Sequence, residues 1–174
     1  KVKKEMENFH INNTDKKICI RESKEKLKKI LSNWLIHADT KTLSKEENTQ
    51  ARKLVEEGAI EVIKQHLWEK NYWVLREQQS KGPTDLYAYK IMNGKKIEFY
   101  IDAKGIRGGN KKKVQGKPSA SKFPIRDKIL RRIVGIVHLK DENSIKNIMF
   151  IEGWHMKYQS YKTSMEKGIT LEIY

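Results

Sequence analysis

Cysteine is nearly absent from the 174-residue chain, with Cys19 alone. A single thiol leaves no disulfide framework and no cysteine-rich zinc site, and it fits a reducing, intracellular (cytoplasmic) setting. Long apolar runs are also missing. None approaches the ~20 residues that a membrane-spanning helix needs, and no signal-peptide pattern opens the chain, so no membrane partner is expected. The five histidines, His10, His37, His66, His138 and His155, show neither zinc-ligand spacing nor an HExxH pair. His66 falls on an apolar helix stripe and reads as a core residue. No GxxxxGK[ST] loop occurs, no Ser–His–Asp arrangement can be argued, and no internal repeat is visible. The chain opens at Lys1 rather than Met, as a piece of a longer protein would.

Positive charge is plentiful. Thirty-seven Lys and Arg against 22 Asp and Glu leave +15. A surplus of that size favours polyanions, because phosphate contacts release condensed counterions. It is unevenly spread: the 29 residues from Lys104 to Arg132 hold eleven Lys or Arg and a single acid, Asp127. Arg107, Lys111, Lys112, Lys113, Lys117, Lys122 and Arg126 in this stretch are the expected nucleic-acid-binding residues. Glycines 105, 108, 109 and 116 would let backbone amides approach phosphates.

At this length one packed domain plus an appendage is expected. Residues 1–46 read as a basic N-terminal arm, mobile or helical, with a short amphipathic helix over 27–36 carried by Leu27, Ile30, Leu31, Trp34 and Leu35. Residues 47–174 read as the main domain. Ser44 and Glu47 have capping-box spacing at the start of a helix whose apolar stripe runs from Ala51 to Leu67. Strands are expected at 72–75, 84–92, 95–104, 133–139, 147–151 and 169–173. A glycine- and lysine-rich loop is expected over 105–118, and helices over 123–132 and 155–166. Helix, three strands, helix, strands is an α/β (α+β) order, with a central mixed sheet flanked by helices.

Asn93-Gly94 is a strong hairpin signal, because a type I′ turn needs positive φ at both central residues. With those two residues as the loop, Met92 faces Lys95, and counting back places Asp85 opposite Asp102. Lys104 lies two residues on, hence on the same face. Leu86, Ala88, Ile97, Phe99, Ile101 and Ala103 form the expected core face. Facing carboxylates repel unless neutralised, and a divalent cation, Mg²⁺ or Mn²⁺, is the natural partner. Such an ion polarises a phosphoryl group and acidifies a bound water, while a nearby lysine orients that water or stabilises developing charge. Tyr87, Tyr89 and Tyr100 fall on the same face, where packing under a neighbouring helix and stacking on bases are both open readings.

Pro83-Thr84-Asp85 followed by Ile101-Asp102-Ala103-Lys104 resembles the PD-(D/E)XK nuclease superfamily over about residues 47–152. The likeness implies a restriction-endonuclease-like α-β-β-β-α-β core and metal-dependent endonuclease activity, mainly on DNA. It further implies Asp85, Asp102 and the Ala103 carbonyl as metal ligands and Lys104 as catalytic lysine. A helix glutamate completes the family's set: Glu61 is the first candidate and Glu57 the second. The sequence departs from the pattern twice, since Thr84 separates Pro83 from Asp85 and the second acid is Asp. The alternatives are a non-catalytic nucleic-acid-binding module on the same fold and an RNA-cleaving domain of a larger replication or polymerase protein. Further partners would be a second copy of the chain or the rest of that larger protein.

Overall fold

The structure is a computed structural model that describes residues 13–38, 44–76, 85–107, 131–139, 148–152 and 170–174. Two helices, α1 (Asn13–Ala38) and α2 (Lys45–Glu69), precede six strands: β1 (Trp73–Arg76), β2 (Leu86–Met92), β3 (Lys95–Arg107), β4 (Arg131–Leu139), β5 (Ile148–Glu152) and β6 (Thr170–Leu171). The strands form one mixed sheet in chain order, antiparallel throughout except that β3 and β4 run parallel. The class is α+β.

α2 begins where the sequence says it should. Ser44 has extended backbone, and its hydroxyl accepts the Glu47 N–H at 3.2 Å, satisfying one of the orphan donors of the first turn. The helix ends at Glu69, and Asn71 takes the left-handed conformation (φ 66°) that an Asn tolerates just past a helix. Its apolar stripe, including Ala59, Ile60, Val62, Ile63 and Leu67, is buried with Leu86, Ala88, Phe99, Ile101, Ala103, Ile133 and Val137 of the sheet in one core.

α1 packs along α2 rather than standing away as an arm. Leu27 and Leu31 join the core, and Cys19 and Ile20 pack against it. The helix expected over 27–36 is thus the later part of a 26-residue helix. Its earlier turns carry too few apolar residues to show a stripe, because the buried position at Ser23 is polar. The Ser23 hydroxyl donates to the Glu61 carboxylate at 2.7 Å and accepts from the Gln65 side-chain amide at 3.1 Å. Polar residues on both helices satisfy each other there, as burial requires.

The hairpin register is as expected: all seven rungs from Leu86↔Ile101 to Met92↔Lys95 are present, and Asn93 and Gly94 have φ of 54° and 75°. Several strand boundaries differ from those expected, and three of them lie near the candidate site. β2 starts at Leu86, leaving Asp85 in a bend just before it. β3 continues through Gly105, Ile106 and Arg107, which were expected in a loop, because β4 pairs with them. Arg131 and Arg132, expected at the end of a helix, already belong to β4, pairing beside Phe99 and Tyr100. The rest of that helix (123–130), the basic loop after Arg107, the helix over 155–166, and Pro83 and Thr84 lie outside the described residues. So do the side chains of Trp34 and Leu35.

One close contact fixes α2 on β3. A Cβ at Gly105 would lie 2.4 Å from a Val55 methyl and 2.7 Å from the Val55 carbonyl oxygen. A glycine inside a strand often marks such an approach. Since a backbone atom blocks the space, Gly105→Ala is expected to destabilise the fold by about 1–3 kcal/mol through overpacking. Urea unfolding measures this, and an unchanged midpoint would show that the helix is not held there.

Candidate active site

β3 presents alternate side chains to opposite faces, so Ala103 and Gly105 meet α2 while Asp102 and Lys104 share the other face. The Lys104 ammonium lies 3.8 Å from an Asp102 carboxylate oxygen. Asp102 is 8% exposed, whereas the lysine is about a quarter exposed. Pairing with a cation that reaches solvent offsets part of what burying a carboxylate costs.

Asp85 joins this pair in a way that register alone does not reveal. Its backbone N–H donates to the Ile101 carbonyl at 2.9 Å, and its carboxylate accepts the Ala103 N–H at 2.7 Å. The acid therefore takes the place of a backbone acceptor beyond the last rung of the hairpin. Its charge sits against the backbone between Asp102 and Lys104.

A further carboxylate is Glu56, which the sequence reading passed over. Its pKa is raised, first by burial and next by the negative charge of Asp85, with Lys104 pulling in the opposite direction. The helix acid thus shares an electrostatic field with two of the hairpin groups. It is brought there by the close approach of its neighbour Val55 to Gly105. The one available sequence signal was Gly105 directly after Lys104, marking where a helix crosses. Which helix residue would cross there could not be read from spacing.

Glu61, the first choice for the helix acid, does not join this group. It is 1% exposed and held between the helices by Ser23, by Lys26 at 3.1 Å and by Lys64 at 3.3 Å. Two ammonium groups and a hydroxyl already meet its charge. Its place at the edge of the apolar stripe, which pointed to the site, in fact puts it under α1. Glu57, the second choice, is paired with both guanidinium nitrogens of Arg76 on β1, one contact at 2.8 Å. That pairing holds its pKa below the usual glutamate range. Arg76 also feels the charge of Asp85, so the ion pair borders the site.

Among the described residues no three His, Cys, Asp or Glu side chains converge closely enough to enclose an ion. The donor set is nonetheless of hard carboxylate oxygens, the type Mg²⁺ and Mn²⁺ select. Arg107 ends β3, and its side chain lies outside the described residues. So do Lys111, Lys112, Lys113, Lys117, Lys122 and Arg126. His66 is half-buried against the Phe150 ring, centroids 5.6 Å apart, with a pKa lowered by burial. That is the environment of a packing residue. No described helix is long and apolar enough to cross a membrane.

Comparisons with protein-family models, with curated proteins and with solved structures give no match to this chain.

The two neighbouring glutamates should affect pH stability with opposite signs. Glu56, with a raised folded pKa, stabilises fully below its unfolded pKa, and that contribution is lost as pH rises through the folded value. Glu57, with a lowered pKa, stabilises above its unfolded pKa and loses that contribution as pH falls through the folded one. Carboxyl ¹³C NMR titration should give a higher midpoint for Glu56 than for Glu57. Asp85→Asn should lower the Glu56 midpoint, and a midpoint that does not move would remove Asp85 from its surroundings.

Proposed function

We propose that the protein is a metal-dependent nuclease that hydrolyses phosphodiester bonds, mainly in DNA, on a restriction-endonuclease-like core. The observation that carries this reading is the Asp85 carboxylate bonded to the Ala103 amide, beside the paired Asp102 and Lys104. Two carboxylates and a lysine on one strand end are the residue types that metal-assisted phosphodiester hydrolysis uses. The strand order supports the core: a helix, three antiparallel strands, then β4 parallel to β3. A parallel pair requires a crossover connection, usually helical, which the chain between Arg107 and Arg131 is long enough to make.

Mg²⁺ or Mn²⁺ would be held by Asp102 and Asp85, with the Ala103 carbonyl as a further donor. Mg²⁺ commonly uses one or two protein carboxylates and keeps several waters. The ion, when bound, supplies a polarised phosphoryl oxygen and a water of lowered pKa. Lys104 orients the attacking water or meets the charge that develops on phosphorus-bound oxygen. Glu56, exposed on α2 and within the electrostatic reach of Asp85 and Lys104, holds a proton more readily than an ordinary glutamate. It replaces Glu61 as the helix acid of this reading. The basic residues from Arg107 to Arg126 would supply phosphate contacts.

Asp102→Ala and Lys104→Ala should each lower cleavage of supercoiled plasmid and labelled oligonucleotides with Mn²⁺ on the order of a hundredfold or more, with binding largely retained. Wild-type cleavage by both variants would end the nuclease assignment. The hydrogen bond from Ala103 to Asp85 also favours a second reading, a non-catalytic nucleic-acid-binding module, since it occupies one carboxylate oxygen. Isothermal titration of Mn²⁺ separates the two. Heat that disappears in Asp85→Asn and Asp102→Asn supports the nuclease, and no heat from the wild type supports the module.

A further inference from the structure

The face of the sheet that carries Asp102 and Lys104 continues away from them as a row of aromatic rings. Along β3 the same-face residues running back are Tyr100, Glu98 and Lys96; along β2, running on from Asp85, they are Tyr87 and Tyr89. The register sets Tyr87 against Tyr100 and Tyr89 against Glu98, and β1 adds Trp73 beside Tyr89 and Leu75 beside Tyr87. Ring centroids lie 5.0 Å apart for Tyr87–Tyr100 and 5.8 Å for Tyr87–Tyr89.

The rings are not sealed into a core. All three tyrosines are only part-buried, and Leu75 in the same row is 47% exposed. The Tyr87 hydroxyl donates to Glu98, which fixes that ring by its edge. Lys96 reaches over the faces of Tyr89 and Tyr87, 5.2 and 5.9 Å from their centroids, and pairs with the Glu98 carboxylate at 3.3 Å. A sheet face destined only for water is usually furnished with polar side chains, and one destined for a core with branched aliphatics. Part-buried tyrosines with a Lys96–Glu98 ion pair among them match neither.

We propose that this face is a stacking platform for a single strand of nucleic acid, which it delivers to the Asp102–Lys104 end. Bases of any identity can stack on tyrosine faces, so the row needs no particular sequence. A duplex cannot use the platform, because its bases are already stacked on each other. Tyr100 is two residues, about 6.6 Å, from Asp102 along β3. A base on Tyr100 therefore adjoins the phosphate at Asp102, and Tyr87 and Tyr89 take the bases beyond. Only the fate of the bound strand rests on the nuclease reading; the binding itself does not.

The test is fluorescence anisotropy with labelled dT₁₂ and with a duplex of the same length, in EDTA so that no cleavage is needed. Tyr87→Leu/Tyr89→Leu keeps apolar volume but removes two stacking faces. It should weaken dT₁₂ binding on the order of tenfold or more while duplex binding is unchanged. Unchanged dT₁₂ binding by a variant with wild-type circular dichroism would overturn the platform. The wild-type protein supplies a check that needs no variant. Photocrosslinking to a dT₁₂ carrying 5-iodouracil should mark the peptide 86–100, and crosslinks confined to other peptides would overturn the proposal equally. Loss of cleavage in Asp102→Ala with dT₁₂ affinity intact would leave the platform standing, so the two readings can fail separately.

Discussion

A slip of one residue of β3 along β2 would carry Tyr100, Asp102 and Lys104 to the α2 face and expose Phe99, Ile101 and Ala103. The turn at Asn93-Gly94 prevents it. Two consecutive left-handed residues are affordable only to a pair such as Asn-Gly, and the resulting turn has a twist that matches the strands it joins. The candidate site depends on that register. It puts Asp85 beside the Ala103 amide, Asp102 and Lys104 on one face, and three tyrosines in a row leading to them.

A second constraint ties the helix layer to the same place. α2 crosses β3 where a glycine replaces a side chain, so the backbones approach more closely than any Cβ would permit. The crossing brings Glu56 into the field of Asp85 and Lys104 without making it a core residue. One turn of helix further on, Glu61 is drawn into a different job. It is neutralised by Lys26 and Lys64 and hydrogen-bonded by Ser23, and so fastens α1 to α2. Neighbouring acids on one helix thus divide between electrostatics at the sheet and cohesion between helices.

The sequence made the hairpin legible because turn chemistry and strand alternation are local. Ser44 and Glu47, the α2 stripe and the core face of β3 were legible for the same reason. What it hid were contacts between distant segments. Ser23 lies in no apolar pattern, so the early turns of α1 could not be seen to pack until Glu61 and Gln65 were found opposite it. The ranking of Glu61 before Glu57 met the same obstacle: the edge of a stripe says that a residue borders a core, not which neighbour it meets. β3 extends past Lys104 because β4 pairs with Gly105, Ile106 and Arg107, and a glycine-rich stretch carries no local sign of that.

The most direct measurement of the metal-centred reading is the anomalous scattering of crystals soaked in Mn²⁺. The expected result is a peak within coordination distance, about 2.0–2.2 Å, of Asp102 and Asp85 oxygens, with Lys104 and Glu56 facing it. A crystal with ordered Asp85 and Asp102 side chains and no peak between them, at a Mn²⁺ concentration that supports cleavage, would contradict it.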